Sequence, residues 1–220
     1  SFYLALETYL LPKLEEDLFF LWDLHKAVIC GKNQLIPAEV NLEYTKKQGI
    51  KVFRRHTGGG AVYADEGCFM YTFLSKKRSK DEVYQEFLPL IKNALMKLGL
   101  EVEFSGRNDL LFKEKKFSGT AFLNNQYGSI LHGTLMYDTS IENLVKSLTP
   151  DQDKLISKGI SSVKQRVINL KDYLDLDIYS LMEHIYDFIS SEEIFLNDLD
   201  LLEVKEIERK YLLPEFLEIN

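Results

Sequence analysis

The chain has 220 residues, 27 Lys plus Arg against 34 Asp plus Glu, a formal net charge of −7, and 45% hydrophobic and 12% aromatic residues. This composition supplies a sizeable core and excludes wholesale disorder, and the acidic balance argues against a general nucleic-acid binder. The longest run free of Asp, Glu, Lys and Arg, residues 117–137, is broken by Asn124, Asn125, Gln126 and three glycines and makes no bilayer span.

The charge is uneven. Residues 151–220 hold 8 basic and 16 acidic side chains, the first 150 hold 19 and 18. A near-neutral first part with local basic clusters suits an anionic small ligand, and the acidic tail reads as solvated helix surface. The N-terminus has no basic n-region, no Asn-x-Ser/Thr acceptor occurs, and two cysteines, Cys30 and Cys68, allow at most one disulfide. Together these predict a reducing, cytoplasmic setting.

In chain order, Leu4–Leu11 is apolar at helical spacing and is stopped by Pro12. Runs rich in β-branched and aromatic residues follow at Lys26–Gly31, Gly49–Arg55 and Cys68–Leu74 and read as strands. Ser79 with Glu82 forms a capping box for a helix whose stripe runs from Val83 to Leu98 and ends at Gly99. Further strands are predicted at Glu101–Ser105, Asp109–Phe112, Lys116–Phe122 and Ser129–Tyr137. Thr139 with Glu142 repeats the capping pattern for a shorter helix ending near Pro150, and helices return at Ile178–Ile189 and Val204–Leu212. The expected class is α+β, a mixed, largely antiparallel sheet packed with helices, the tail included in the same body.

Four segments carry chemistry. Arg54-Arg55-His56-Thr57-Gly58-Gly59-Gly60-Ala61-Val62-Tyr63 joins two extended runs. Three consecutive glycines are entropically expensive, so they mark either a tight turn or a backbone held close to a bulky anion, with Arg54 or Arg55 supplying charge. No Gly-Lys-Ser/Thr follows and no helix opens after the glycines, which excludes a Walker loop and a dinucleotide fingerprint. Next, Ser105–Phe112 and Lys116–Phe122 read as a hairpin with a charged tip. Lys116, at a strand start beside small residues, can meet a phosphate or carboxylate as a point charge, and Asp109 can hold Mg²⁺ or pair with Arg107 or Lys116. The third segment is Ser129–Tyr137, whose His132 reads as a hydrogen-bonded structural residue before a general base. The fourth, Lys158–Val167, mixes Gly, Ser and basic residues, as a loop closing over an anion or a solvated loop would.

Arg54–Tyr63, Gly106–Asp109, Lys116–Ala121, His132–Leu135 and Lys158–Val163 occur in the order and approximate spacing of the lipoate–protein ligase A family, with its biotin/lipoate ligase-like catalytic domain. The chain resembles that family over residues 4–170, and Phe20-Leu21-Trp22 and Ala27–Gly31 resemble its early strands. The resemblance implies a two-step reaction: lipoate and MgATP give lipoyl-AMP, and the lipoyl group then passes to a lysine of an apo lipoyl domain. The acceptors it implies are a 2-oxoacid dehydrogenase E2 subunit or the glycine-cleavage H protein. Carried onto this chain, Arg55, Gly58, Gly59, Gly60, Ala61, Val62, Tyr63, Asn108, Lys158, Ser162 and Val163 should bind ATP or the adenylate. Lys116 should be catalytic, Arg55, Lys116, His132 and Gly133 should surround lipoate, and Asp109 should face Mg²⁺.

Two departures from the family pattern accompany this. The expectation is one catalytic domain over residues 1–220 without the accessory domain many relatives carry, and without the family's first strand. Either the sequence is a piece of a longer protein or the small domain is a separate chain; in the second case the chain would need that partner to activate lipoate, and transfer from lipoyl-AMP would depend on it less. The rival on the same fold is an octanoyl or lipoyl transferase that uses a cysteine and no ATP. Cys30 and Cys68 lie inside or at the start of apolar strands, outside the loops expected at the site, and read as structural.

Overall fold

Strand β5 (Cys68–Ser75) is buried at every position, which places it inside a two-faced layer. The computed structural model, which describes residues 1–77, 79–106, 108–148 and 163–217, shows that layer as a six-stranded antiparallel sheet. Its order is β1 (Leu18–Asp23), β5, β9 (Ser129–Met136), β8 (Lys115–Asn124), β7 (Asp109–Phe112) and β6 (Val102–Phe104). A second sheet of three strands has β2 (Ala27–Cys30) at its centre, parallel to β3 (Lys51–Arg54) and antiparallel to β4 (Val62–Ala64). The α+β class and the largely antiparallel arrangement are therefore as expected.

One face of the large sheet is covered by helix α4 (Lys80–Lys97). Val83, Phe87, Leu88, Ile91, Ala94 and Leu95 recur at helical spacing and are buried against Phe69, Tyr71, Phe73, Leu131 and Leu135. The Ser79 side chain accepts from the Glu82 amide at the start of α4, and Gly99, at φ +84°, ends it. The opposite face receives α1 (Phe2–Leu10) and the small sheet, whose Ile29 and Val62 pack with Met70, Leu74 and Ile130. A cavity remains between the two sheets.

Several elements differ from the sequence expectation. Thr139 does not cap α5 (Ile141–Leu148): the Ser140 hydroxyl accepts from the Asn143 amide, while Thr139 Oγ1 donates to the Gly67 carbonyl at 3.3 Å. Two short helices, α2 (Ile36–Glu39) and α3 (Leu42–Lys47), fill the stretch between β2 and β3. They are too short for a hydrophobic period to reveal. The tail folds onto the main body: α6 (Ile178–Ile189) buries Leu181 and Ile185 in the core under α4, and α7 (Asp198–Tyr211) packs on α1 through Val204 and Tyr211. Among the described residues no helix is long and apolar enough to cross a membrane.

The candidate active site

The cavity between the sheets has a volume of about 300 Å³ and is lined by Arg55, Gly59–Tyr63, Asn108, Lys116, Gly119 and His132, with Leu4, Met70, Leu144 and Val167 among its apolar wall. The glycine connection and the hairpin lysine, 61 positions apart when counted from Arg55 to Lys116, thus reach one space. A second cavity of about 660 Å³ shares Gly59, Asn108, Thr120 and Ala121 with it and opens past Lys80, Asp81, Tyr84 and Gln85.

Lys116 arrives there through a bulge. In a regular strand, side chains two apart share a face, so Lys116 would point with Ser118 and Thr120. In β8, however, Leu110 pairs with Ser118 and Leu111 with Lys116, which leaves Phe117 as an extra residue. Phe117 turns into the core, fully buried, and Lys116 is re-aimed to the cavity face beside Gly119. A methyl group on Gly119 would lie 2.6 Å from Lys116 Nζ, so glycine there makes room for the ammonium. The hairpin tip is a two-residue turn in which Lys113 and Glu114 both have positive φ, 51° and 62°.

Lys116 Nζ lies 2.9 Å from Asp109 Oδ1 as an ion pair. The alignment does not make a hydrogen bond, and Oδ1 is a buried acceptor without one. Asn108 is fixed differently: its side-chain amide donates to the Thr120 carbonyl at 2.8 Å, and its own carbonyl accepts from the Thr120 amide and hydroxyl at 3.0 and 2.9 Å. The backbone beyond residue 166 closes on the same place, the Ile168 amide donating to the Lys116 carbonyl at 3.0 Å. Val163 opens the short turn leading there, its carbonyl accepting from the Val167 amide. Lys158 and Ser162 lie outside the described residues.

The two arginines divide the work that the sequence left open between them. Arg54 donates to the carbonyls of Gly31, Lys32 and Gln34 and to those of Phe216 and Leu217, so it ties α8 (Pro214–Leu217) to the 31–34 loop. Arg55 serves the glycine connection: Nη2 donates to the carbonyls of Gly58 and Gly60 at 2.7 and 2.8 Å, Nη1 to Ile29, and Nε to Thr57 Oγ1. Burial lowers its pKa to about 10, which still leaves it cationic at neutral pH. Gly59 has φ +92° and its carbonyl sits where a Cβ on Gly31 would be, so these two glycines are required by the fold. Added Cβ atoms on Gly58 and Gly60 meet nothing within 4 Å, so the fold itself does not require glycine there. Among the described residues, no acceptor faces the amide N–H of Gly59 or Gly60.

His132 lines the cavity but both ring nitrogens are engaged, Nδ1 with Glu7 Oε1 at 2.8 Å and Nε2 with Thr57 Oγ1 at 2.9 Å. Gly133 lets Tyr71 pass: a Cβ there would lie 2.4 Å from the Tyr71 ring, whose hydroxyl bonds Ser118. Sequence reasoning missed Glu7 and Thr57. The available signal was a lone acid in the otherwise apolar Leu4–Leu11 helix.

Cys68 opens β5, as expected, and from there it also lines the cavity. It is nonetheless a poor nucleophile: it is 1% exposed, and burial pushes its thiol pKa up to about 12. Native protein at pH 8 is expected to lose no Cys68 thiol to iodoacetamide over an hour, whereas unfolded protein alkylates promptly. Rapid native alkylation, read by mass spectrometry, would contradict this. Cys30 is likewise buried, unpaired and raised by desolvation.

An α+β fold here gathers a fixed guanidinium, an ammonium and an apolar wall around one cavity. The chain belongs to the lipoyl protein ligase A/B catalytic domain family, whose model matches residues 1–190. It is 35% identical over 214 residues to a probable lipoate-protein ligase A of Mycoplasma pneumoniae, covering 94% of this chain and 63% of that protein. It is 38% identical over 175 residues to the lipoate-protein ligase LplJ of Bacillus subtilis, covering 78% of this chain and 53% of the relative. The chain thus spans between half and two thirds of the length of these curated relatives. The fold matches the bi-partite lipoate protein ligase of the archaeon Thermoplasma acidophilum with a TM-score of 0.90 and 24% identity, over 100% of this chain and 92% of that one.

Proposed function

We propose that this domain is the catalytic unit of an ATP-dependent lipoate–protein ligase. The observation that carries the reading is the convergence of Lys116, the Arg55-held glycine connection and an apolar wall on one cavity. In the first step a lipoate carboxylate oxygen attacks the α-phosphorus of ATP, the bond to the β-phosphate breaks, and pyrophosphate leaves. Three negative groups meet in that step, so preorganised cations and N–H donors are what the reaction needs. Lys116 bridges the phosphoryl and acyl oxygens, and the amides of Gly59 and Gly60 face the phosphate. In the second step the acceptor lysine amine attacks the acyl carbon, the mixed anhydride C–O bond breaks, AMP departs, and the amine loses its proton. The apolar wall limits the access of water to the adenylate.

One carboxylate in the site is compatible with Mg²⁺. Among the described residues no three-ligand cluster exists, but Mg²⁺ usually takes one or two carboxylates plus substrate phosphates. Asp109 Oδ1, buried, ion-paired with Lys116 and without a hydrogen bond among the described residues, offers one such carboxylate. Asp109 would hold Mg²⁺ there, and the ion would neutralise phosphate charge. Solved relatives lend support: a lipoate-protein ligase A of the same fold is described with ATP bound, and the archaeal ligase with its E2 lipoyl domain. The partners we propose are accordingly apo lipoyl domains and a small accessory unit, in a cytoplasmic setting that suits two unpaired buried cysteines. The cysteine transferase reading is not favoured, because neither thiol is poised as a thiolate.

Two assays test this, one with MgATP, lipoate and an apo lipoyl domain, the other with synthetic lipoyl-AMP and the same acceptor. Ligation in the first is expected. Ligation in the second alone assigns activation to an additional unit, and modification only from an acyl-carrier donor without ATP overturns the ligase. Within this scheme Gly60→Ala is expected to keep its Tm within about 2 °C, since its Cβ meets nothing, yet to raise the nucleotide KM. A KM unchanged in that variant would show that no ligand approaches Gly60.

A further inference from the structure

Glu7 is 3% exposed in a helix otherwise buried through apolar side chains, and no step above uses it. It lies in a line of hydrogen bonds crossing the interior. Trp22 Nε1 is 2.9 Å from Thr72 Oγ1, and Thr72 Oγ1 is 2.7 Å from Glu7 Oε1. Glu7 Oε1 is 2.8 Å from His132 Nδ1, His132 Nε2 is 2.9 Å from Thr57 Oγ1, and Thr57 Oγ1 is 2.8 Å from Arg55 Nε.

With Glu7 taken as the carboxylate, the ends of the line assign every proton in it. Indole and guanidinium N–H groups only donate and a carboxylate only accepts. Trp22 therefore donates to Thr72, and Thr72 O–H donates to Glu7. His132 Nδ1–H donates to the same carboxylate. At the other end Arg55 Nε–H donates to Thr57, whose own O–H then points to the lone pair on His132 Nε2. A second proton on the ring would place two donors on Thr57 Oγ1 and leave its hydroxyl hydrogen without an acceptor, a costly arrangement for a buried group. With Nε held, the planar guanidinium cannot turn about its Cδ–Nε bond, so Nη2 stays aimed at the carbonyls of Gly58 and Gly60.

We propose that Glu7, His132 and Thr57 are positioning residues that set the plane of Arg55 and, through it, the shape of the glycine connection, and that His132 exchanges no proton with substrate. The kinetic consequence rests on the ligase reading; the hydrogen-bond directions do not. With ¹⁵N-histidine-labelled protein at pH 7, long-range ¹H–¹⁵N spectra are expected to show His132 protonated on Nδ1 and unprotonated on Nε2, whose lone pair accepts from Thr57. A proton on Nε2 overturns the proposal without reference to catalysis. In the MgATP assay, Thr57→Val is expected to raise the nucleotide KM about tenfold, the size of one charge-assisted hydrogen bond, with kcat changed less than about threefold. Thr57→Ser, which keeps the hydroxyl, should restore most of that loss. A KM unmoved by Thr57→Val, or a His132→Asn enzyme that loses one limb of the kcat–pH profile at constant KM, refutes it. If the wild-type protein ligates nothing, the ligase reading fails while the ¹⁵N spectrum still decides the line of bonds; the same spectrum decides if Thr57→Val does not fold.

Discussion

Lys116→Ala is expected to lower ligation by about 10²–10³-fold, the scale for losing one preorganised charge donor, while the protein stays folded. The ammonium is about half exposed and among the described residues its ion pair is to Asp109, so its removal costs under about 1 kcal/mol of stability. The companion variant is Gly119→Ala. Its methyl group would occupy space 2.6 Å from Nζ, so it should reproduce much of the loss by displacing an intact lysine. Single-turnover transfer from lipoyl-AMP together with a thermal melt checks both. Wild-type turnover in Lys116→Ala would remove its catalytic role, and a large drop in Tm would make it structural.

Arg55→Ala carries the second large effect, and it differs in kind. Its four hydrogen bonds hold the carbonyls of Ile29, Gly58 and Gly60 and the Thr57 hydroxyl, so truncation strands several buried acceptors together. The expected cost is about 3 kcal/mol of stability, or a Tm lower by about 6–12 °C for a chain of this size, together with loss of nucleotide binding. Arg55→Lys should recover little, because a point charge cannot satisfy a planar fork of acceptors. Calorimetry with and without MgATP separates the two consequences. An Arg55→Ala protein with unchanged Tm and nucleotide affinity would show that the glycine connection keeps its shape unaided.

The arginines also show why sequence and structure divided the task as they did. Adjacent residues in a strand point to opposite faces, so the pair Arg54-Arg55 announced a charged connection without saying which member served it. The fold sends Arg54 toward Phe216 and Leu217, more than 160 positions away in sequence, and Arg55 toward the glycines. His132 behaves similarly. As a single letter in an apolar strand it reads as a structural histidine, and its partners, Glu7 and Thr57, lie 125 and 75 positions away.

Local chemistry alone determined most strands and the long helices, the Ser79 cap and Gly99 stop, the α+β class, and the linear order of motifs that marks the family, because capping, periodicity and glycine tolerance act over a few residues; β1 was legible only through the family resemblance. Only the tertiary structure decided which way Lys116 faces, since that depends on one extra residue, Phe117, opposite Leu110 and Leu111 in another strand. It alone moved the α5 cap from Thr139 to Ser140 and set Cys68 in the cavity wall. Register and cavity shape are properties of paired strands and packed sheets, and no single stretch of sequence contains them.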